Sequence, residues 1–380
     1  MKLLKRNIIL TMIVKNEAHI IERCLTSTLP LIDGFYIMDT GSTDGTQQVI
    51  TEFFRTHNIP GSVIDTPWVD FATNRTLVLA NQLVANDYSL MIDADEVVVF
   101  ADDFIKDVFI NTLTTDAIYI TTRLGTITYQ RPQLTHNAMP FFYKGILHEY
   151  LDCSEEFTRQ DTDAFINTPI QDGARSQSST KYQDDAELLA AAVLTERDPM
   201  LLPRYTFYAA QSYRDCGNHV KALEFYNRCI QLNTWNEEIF ISLLNCARLL
   251  ETLLRSPEEI IQAYMAAYEY MPTRIEGIYG AIKYCRSIQK YNQGYALTKI
   301  ATTISLPSHG LFTENWIYEY GLLDEIAVLA YWVGHYQEAL ETTMTLIESP
   351  TLPPEYMNRV LHTMDCTLTK LKELTEINNC

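Results

Sequence analysis

The chain has 380 residues, 47% hydrophobic and 20% charged, which suits a soluble globular protein with room for two or three domains. Its formal net charge of −19 argues against nucleic acid or an anionic membrane surface as the principal partner. The eight cysteines are scattered without C-x-x-C or Cys/His clusters, so reduced intracellular thiols are expected rather than a zinc or disulfide framework.

Met1-Lys-Leu-Leu-Lys-Arg-Asn opens the chain, and the apolar run after it soon meets Lys15, Asn16 and Glu17. That run is too short to span a membrane and lacks a clear cleavage site, so a cytoplasmic protein is expected. Residues 8–14 read as a buried strand, and 18–25 as a helix with Ile20, Ile21, Cys24 and Leu25 on one side. A second strand, 35–38, runs into Asp39-Thr-Gly41-Ser-Thr43-Asp44-Gly45-Thr46. Its glycines suit a sharp turn, and Ser42, Thr43 or Asp44 can cap a helix through Phe54. A third strand, 62–64, leads to Pro67, Trp68, Asp70 and Phe71. The helix after it carries Asn74 and Arg75 near its start, then Leu77, Leu79, Ala80 and Leu83. Trp68 is expected in core packing, with pocket lining as the alternative.

The apolar run Leu90-Met91-Ile92 then stops abruptly at Asp93, Asp95 and Glu96. Asp93 and Asp95 lie two apart, so on an extended chain they share one face. Paired carboxylates repel unless a positive charge lies between them, and hard divalent cations take such oxygens. A solvated acidic turn is the plain alternative. Repeated strand–helix alternation, however, implies a mostly parallel α/β sheet, whose ligands bind beyond the carboxyl ends of the strands. Asn16/Glu17, Asp39, the 68–75 stretch and Asp93/Asp95 all fall there, which favours a site.

Three stretches carry a resemblance: Thr11-Met-Ile-Val-Lys-Asn16-Glu17, Met38-Asp39-Thr-Gly-Ser-Thr-Asp44-Gly-Thr46 and Ile92-Asp93-Ala94-Asp95-Glu96. In this order they resemble family-two glycosyltransferases of the GT-A fold, a Rossmann-like, mostly parallel sheet. The nearest branch has a lipopolysaccharide-core-glucosyltransferase-like domain followed by helical repeats, and Trp68 to Thr76 also matches a family signature. The resemblance implies inverting transfer of a hexose from a nucleotide-sugar, with a UDP-sugar expected. Asp39 would accept a hydrogen bond from the nucleobase, and Glu17 would lie near base or ribose. Thr11, Asn16 and Ala94 are counted with the same nucleotide site. Asp93 would approach ribose and metal, and Asp95 would bind the Mn2+ or Mg2+ bridging the diphosphate. Arg75 either touches the nucleotide or braces the carboxylates. Asp44 is expected as a helix cap.

Beyond Glu96, residues 117–122 and 126–129 flank Leu124-Gly125 as a hairpin. Phe141-Phe-Tyr143-Lys-Gly145-Ile-Leu-His148-Glu149-Tyr150 resembles the family's glycine-plus-His-Glu element. Inverting transfer needs a base for the acceptor hydroxyl and a stabiliser for the departing diphosphate. Glu149 is the candidate base, with Asp152 a weaker contender, and His148 the candidate third metal ligand. Neighbours on a regular strand point opposite ways, so one of the two would then be structural. Residues 154–182 read as loop. Its Gly173-Ala-Arg175-Ser stretch has a counterpart in the family branch, and Arg175 and Lys181 can close over a diphosphate. An interdomain linker is the alternative.

The division is expected at 1–182 and 183–380, the second part being an all-α tetratricopeptide-like repeat domain. Ala210-x-x-Tyr213-x-x-x-Gly217-x-x-x-x-Ala222-x-x-x-Tyr226 fits that pattern of about 34 residues, as do Ala327, Ala330, Gly334, Tyr336 and Ala339. The acceptor is expected to be a glycan, a lipid-linked glycan or a protein, with a protein partner on the repeats. Two other readings stand beside this one. A non-catalytic scaffold would bind its partner through the repeats. A nucleotidyltransferase would want a Gly-rich phosphate loop after the first strand, and Thr11 to Glu17 contains no glycine.

Overall fold

The computed structural model describes residues 6–81, 87–125 and 127–378. Leu83, Thr126 and residues 1–5 of the sequence reading lie outside them. The chain forms two compact units, Met1–Cys216 and Gly217–Cys380.

The first unit is built on strands β1 (Ile8–Val14), β2 (Gly34–Asp39), β3 (Gly61–Asp65), β4 (Tyr88–Met91), β5 (Glu96–Phe100), β6 (Ala117–Leu124), β7 (Ile127–His136) and β10 (Arg159–Pro169). They lie in the order β3-β2-β1-β4-β7-β6-β10-β5. The first four are parallel; β4–β7, β7–β6 and β10–β5 are antiparallel, while β10–β6 is parallel. The short strands β8 (Phe141–Lys144) and β9 (Tyr150–Cys153) form a separate antiparallel ribbon.

Burial on both faces explains why β1 is a continuous apolar run. Ile8, Leu10 and Met12 pack with Ile37 and Leu90 against Ile21 and Leu25 of α1 (Ile21–Thr28) and Ile50 and Phe54 of α2 (Thr46–Thr56). On the other face Met38 and Met91 meet Val78 of α3 (Phe71–Ala80). Asp70 caps α3 through the amide of Thr73. Helix α4 (Lys106–Thr112) adds Phe109 to the main core, and α5 (Lys181–Thr195) and α6 (Leu201–Asp215) complete the unit.

Two differences from the sequence reading concern this unit. Residues 159–169, read as loop, form strand β10 between β5 and β6. Only Phe165 and Asn167 of that polar stretch are buried, so pairing on both edges, not hydropathy, makes it a strand. The helical hairpin α5–α6 lies within the compact unit Met1–Cys216. Trp68 is 44% exposed and set edge-on to Phe71, not packed in the core.

The second unit is helical: α7 (His219–Leu232), α8 (Asn236–Thr252), α9 (Pro257–Tyr270), α10 (Glu276–Ser287), α11 (Tyr291–Ala301), α12 (Leu322–Trp332), α13 (Tyr336–Glu348) and α14 (Pro354–Asn378). Each packs on the next, as stacked helical hairpins do. Gly334, at φ +85, makes the tight turn between α12 and α13, where Ala327, Ala330 and Ala339 are buried. The repeat signature read from these residues thus coincides with a helix–turn–helix. Among the described residues no helix is long and apolar enough to cross a membrane, and every cysteine is free.

Candidate active site

The ends of β1, β2 and β4 bring the expected polar residues to one edge of the sheet. Past β1, Asn16 adopts φ +58, and its side-chain oxygen accepts the Thr43 amide at 2.8 Å while its own amide donates to Ser42 Oγ. Asp39 closes β2 with no exposed surface. Its Oδ1 accepts the amides of Gly41 and Ser42 at 2.8 and 2.7 Å, a turn that Gly41 permits at φ +101. Its Oδ2 finds no partner among the described residues. Asp44 accepts the Thr46 and Ala18 amides, but the N-cap of α2 is Gly45 at φ +95, so Asp44 stands one residue before the cap position expected for it.

Beyond β4 the chain turns at Asp93–Glu96. The Asp93 amide donates to Glu96 Oε2 at 3.0 Å, and the Glu96 amide returns to the Asp93 carbonyl at 3.1 Å. Glu96 is buried and also receives Arg131 and Gln133 from β7. Arg75 Nη2 lies 2.5 Å from Asp93 Oδ1, and its Nε lies 2.7 Å from Glu149 Oε1. One guanidinium therefore bridges two carboxylates brought from far apart in the chain. Burial opposes ionisation of Asp93, but Arg75 and Arg131 outweigh it and hold the carboxyl below its usual range.

Asp95 stands differently. Burial and the charges of Asp93 and Glu96 push its pKa up. Glu17 behaves likewise, raised to about 7 by burial, with Asp95 adding and the Ala174 amide opposing. The two carboxylates meet at Gly173, where a Cβ would lie 3.4 Å from Asp95 Oδ2 and 3.4 Å from Glu17 Oε1. The 170–178 segment closes over them. The Ala174 amide donates to both Glu17 oxygens at 3.2 Å, and Arg23 of α1 holds Asp172 through two hydrogen bonds, at 2.8 and 2.6 Å.

His148 is elsewhere. Its backbone adopts φ +53 between β8 and β9, which turns Glu149 inward and lays the His148 ring flat on Tyr208 of α6, centroids 3.9 Å apart. Its pKa is lowered by its packed surroundings, then by Arg204, Arg175 and Lys181. Among the described residues no three His, Cys, Asp or Glu side chains stand together as a metal cage. The expected trio of Asp93, Asp95 and His148 is therefore not gathered: Arg75 occupies the first and Tyr208 the third. The donor set still fits a hard cation of the kind that takes one or two protein carboxylates and completes its shell with phosphate oxygens and water. Asp95, with Glu17 beside it, would hold it.

Arg175 pairs with Asp185 of α5 and lies 4.9 Å from the Phe71 ring, while Lys181 donates to Ser176. Together with Arg204, whose Nε donates to the His148 carbonyl at 2.7 Å, they form a basic cluster in an acidic chain. Two expected residues are interior: the Thr11 hydroxyl donates to the Leu90 carbonyl within the sheet, and Ala94 belongs to the core. The sequence reading missed Arg23, Asp172, Arg131, Gln133 and Arg204, which reach the site from elements distant in sequence.

A TPR repeat-containing protein of Synechococcus elongatus is 35% identical over 88 residues, 23% of this chain and 20% of that protein. The chain thus spans about a fifth of the length of the curated relative it matches. Among solved structures, BtubC from P. vanneervenii covers 48% of this chain and 74% of its own at 16% identity and a TM-score of 0.36. A thermophilic TPR protein of Thermus thermophilus covers 48% and 91% at 14% identity and a TM-score of 0.34. Residues 10–148, which contain the ends of β1, β2 and β4 together with Arg75 and Asp93 and stop one residue short of Glu149, match the family described as Glycosyl transferase family 2.

Proposed function

We propose that the first unit transfers a hexose, with inversion, from a nucleotide-sugar to an acceptor hydroxyl. The observation that carries this reading is Asp39. It is a fully buried carboxylate at a strand end, and one oxygen lacks a donor among the described residues. A buried acceptor left unpaired is costly, and a ligand N–H relieves it. The N3–H of uracil or thymine is such a donor, which supports a UDP- or dTDP-sugar, with UDP preferred.

A divalent cation, Mn2+ or Mg2+, would be held by Asp95 with Glu17 alongside, and when bound it neutralises charge building on the leaving diphosphate. The chain's own groups do the rest. Arg75 holds Asp93 and Glu149 in fixed orientation, and Glu149 is the proposed base, one oxygen on Arg75 and the other accepting the acceptor's proton. Arg175, on the segment that covers Asp95, and Lys181, at the start of α5, are proposed to face the diphosphate and keep water from it. The acceptor is proposed to be a glycan or protein, with the helical unit free to bind a protein partner.

The test is a thermal-shift series of UDP-, dTDP-, GDP- and CMP-sugars with and without Mn2+, on wild type and Asp95→Ala. A ligand that binds the native state raises the melting temperature by mass action. One nucleotide series should stabilise wild type in the presence of metal and fail to stabilise Asp95→Ala. No shift with any sugar nucleotide would remove the enzyme reading and favour the scaffold alternative.

A further inference from the structure

A cavity of about 430 Å3 lies on the side of α3 away from Arg75, between that helix, β8 and Tyr205 of α6. Its size falls within the range of small-molecule sites, roughly 300–1,000 Å3. The spacing of α3 explains the two faces. Asn74, Arg75 and Val78 are buried, while Thr73, Thr76 and Leu77 line the cavity. Tyr143 belongs to both sides, lining the cavity while its ring lies 5.8 Å from the Arg75 guanidinium. The cavity is thus one residue away from the Asp93–Arg75–Glu149 bridge.

The lining alternates polar and apolar groups. Tyr205 Oη accepts the Ile146 amide at 3.0 Å, and Thr76 Oγ1 accepts the Tyr143 amide at 2.8 Å, so each hydroxyl has its own proton to donate inward. Asp70 accepts from the Thr73 amide and hydroxyl and supplies further lone pairs. Phe142, Leu77 and Ile146 provide the apolar wall. Asp70 repels phosphate and carboxylate ligands. A purely apolar ligand would leave the hydroxyl protons and the remaining lone pairs of Asp70 unanswered. What remains is a neutral molecule with hydroxyls around an apolar ring face.

We infer that this cavity binds a sugar ring of the acceptor, placing an uncharged saccharide beside the proposed transfer site. The assignment rests on the transferase reading above for its role in the reaction, but binding itself can be read without that role.

The experiment is saturation-transfer NMR on the full chain. The probes are the methyl glycosides of glucose, galactose, mannose, N-acetylglucosamine and rhamnose, applied to wild type, Leu77→Trp, Thr73→Trp and Asp70→Asn. Both tryptophans start from exposed positions on α3 and fill the cavity, and Asn keeps the α3 cap while removing the charge. Melting temperatures establish that each variant folds. At least one glycoside should give a signal on wild type. That signal should fall at least tenfold in affinity in either tryptophan variant and several-fold in Asp70→Asn, with the melting-temperature shift from nucleotide-sugar retained. No signal from any glycoside on wild type, or a signal unchanged in both folded tryptophan variants, overturns the assignment. Loss of the nucleotide-sugar shift alone, with glycoside binding intact, would count against the transferase reading and leave the saccharide site standing.

Discussion

Arg75 and Glu149, 74 positions apart in sequence, meet with Nε 2.7 Å from Oε1, both largely buried. The same guanidinium is 2.5 Å from Asp93. Removing it leaves the largely buried Glu149 carboxylate uncompensated, with the 35%-exposed Asp93 beside it losing less, and breaking a buried pair in this way costs about 3–5 kcal/mol. Arg75→Met should lower the unfolding free energy by that order in urea. Arg75→Lys should recover part of it, because an ammonium keeps the charge but cannot offer two directed edges. An Arg75→Met protein within about 1 kcal/mol of wild type would show that the bridge is not structural.

Glu96 is the hidden support of the acidic turn. It accepts the Asp93 amide, Gln133 and Arg131, and it is 3% exposed. Hydrogen bonds to charged groups contribute about 1.5–3 kcal/mol. Glu96→Gln, which keeps the shape and loses the charge, should cost on the order of 2 kcal/mol. Because the turn aims Asp95, the variant should also weaken any metal-dependent nucleotide shift. A neutral effect on both measurements would reduce Glu96 to one carboxylate among several.

The 170–178 segment is held by Arg23 on Asp172, a pair with side chains 39% and 38% exposed. Solvent screening limits such a pair to at most about 1 kcal/mol. Hydrogen bonding and charge from Arg23 lower the Asp172 pKa. A lowered carboxylate contributes its stability above its unfolded value and loses it as pH falls through its folded value. The latch should therefore be complete at neutral pH and release only below the ordinary carboxylate range. Arg23→Ala should open it at pH 7, seen as faster hydrogen exchange at the Ala174 amide. Equal exchange in wild type and variant would mean the segment is held by Glu17 and its own turns alone.

How much of this was legible in the sequence follows from where each residue's partners lie. Strand β2 ends in Asp39, and Glu17 and Asp93 follow the apolar runs of β1 and β4 within three residues, so local hydropathy located Asp39, Asp93 and Asp95 at strand ends without tertiary information. Gly334 likewise marks its turn because only a few residues accept φ +85. Strand β10 was not legible: its alternation of exposed polar residues looks like loop until β5 and β6 pair with it. The stacking of His148 on Tyr208 was not legible for a related reason. Its neighbour Glu149 reaches Arg75 only because the His148 backbone leaves strand geometry, and Tyr208, 60 residues later, takes up the ring. Arg131 and Gln133 carry no motif at all; their role is set by a β7 register that places them under Glu96.

Asp39 offers the sharpest separation of stability from function. Its Oδ1 serves the Gly41 and Ser42 amides, while Oδ2 has no partner among the described residues. Asp39→Asn can keep the first role, since its amide oxygen accepts the same two N–H groups. At the second position it offers an NH2 donor instead of an acceptor. Without ligand the variant should melt near wild type or slightly above it, because an unpaired buried carboxylate oxygen is no longer present. Nucleotide affinity should fall by about 1.5–3 kcal/mol, or roughly 10- to 150-fold, as a charge-assisted hydrogen bond is lost. Calorimetry with UDP and with a UDP-sugar reads this directly. If Asp39→Asn binds both as wild type does, the free oxygen is not the nucleobase acceptor, and the donor class must be sought through other contacts.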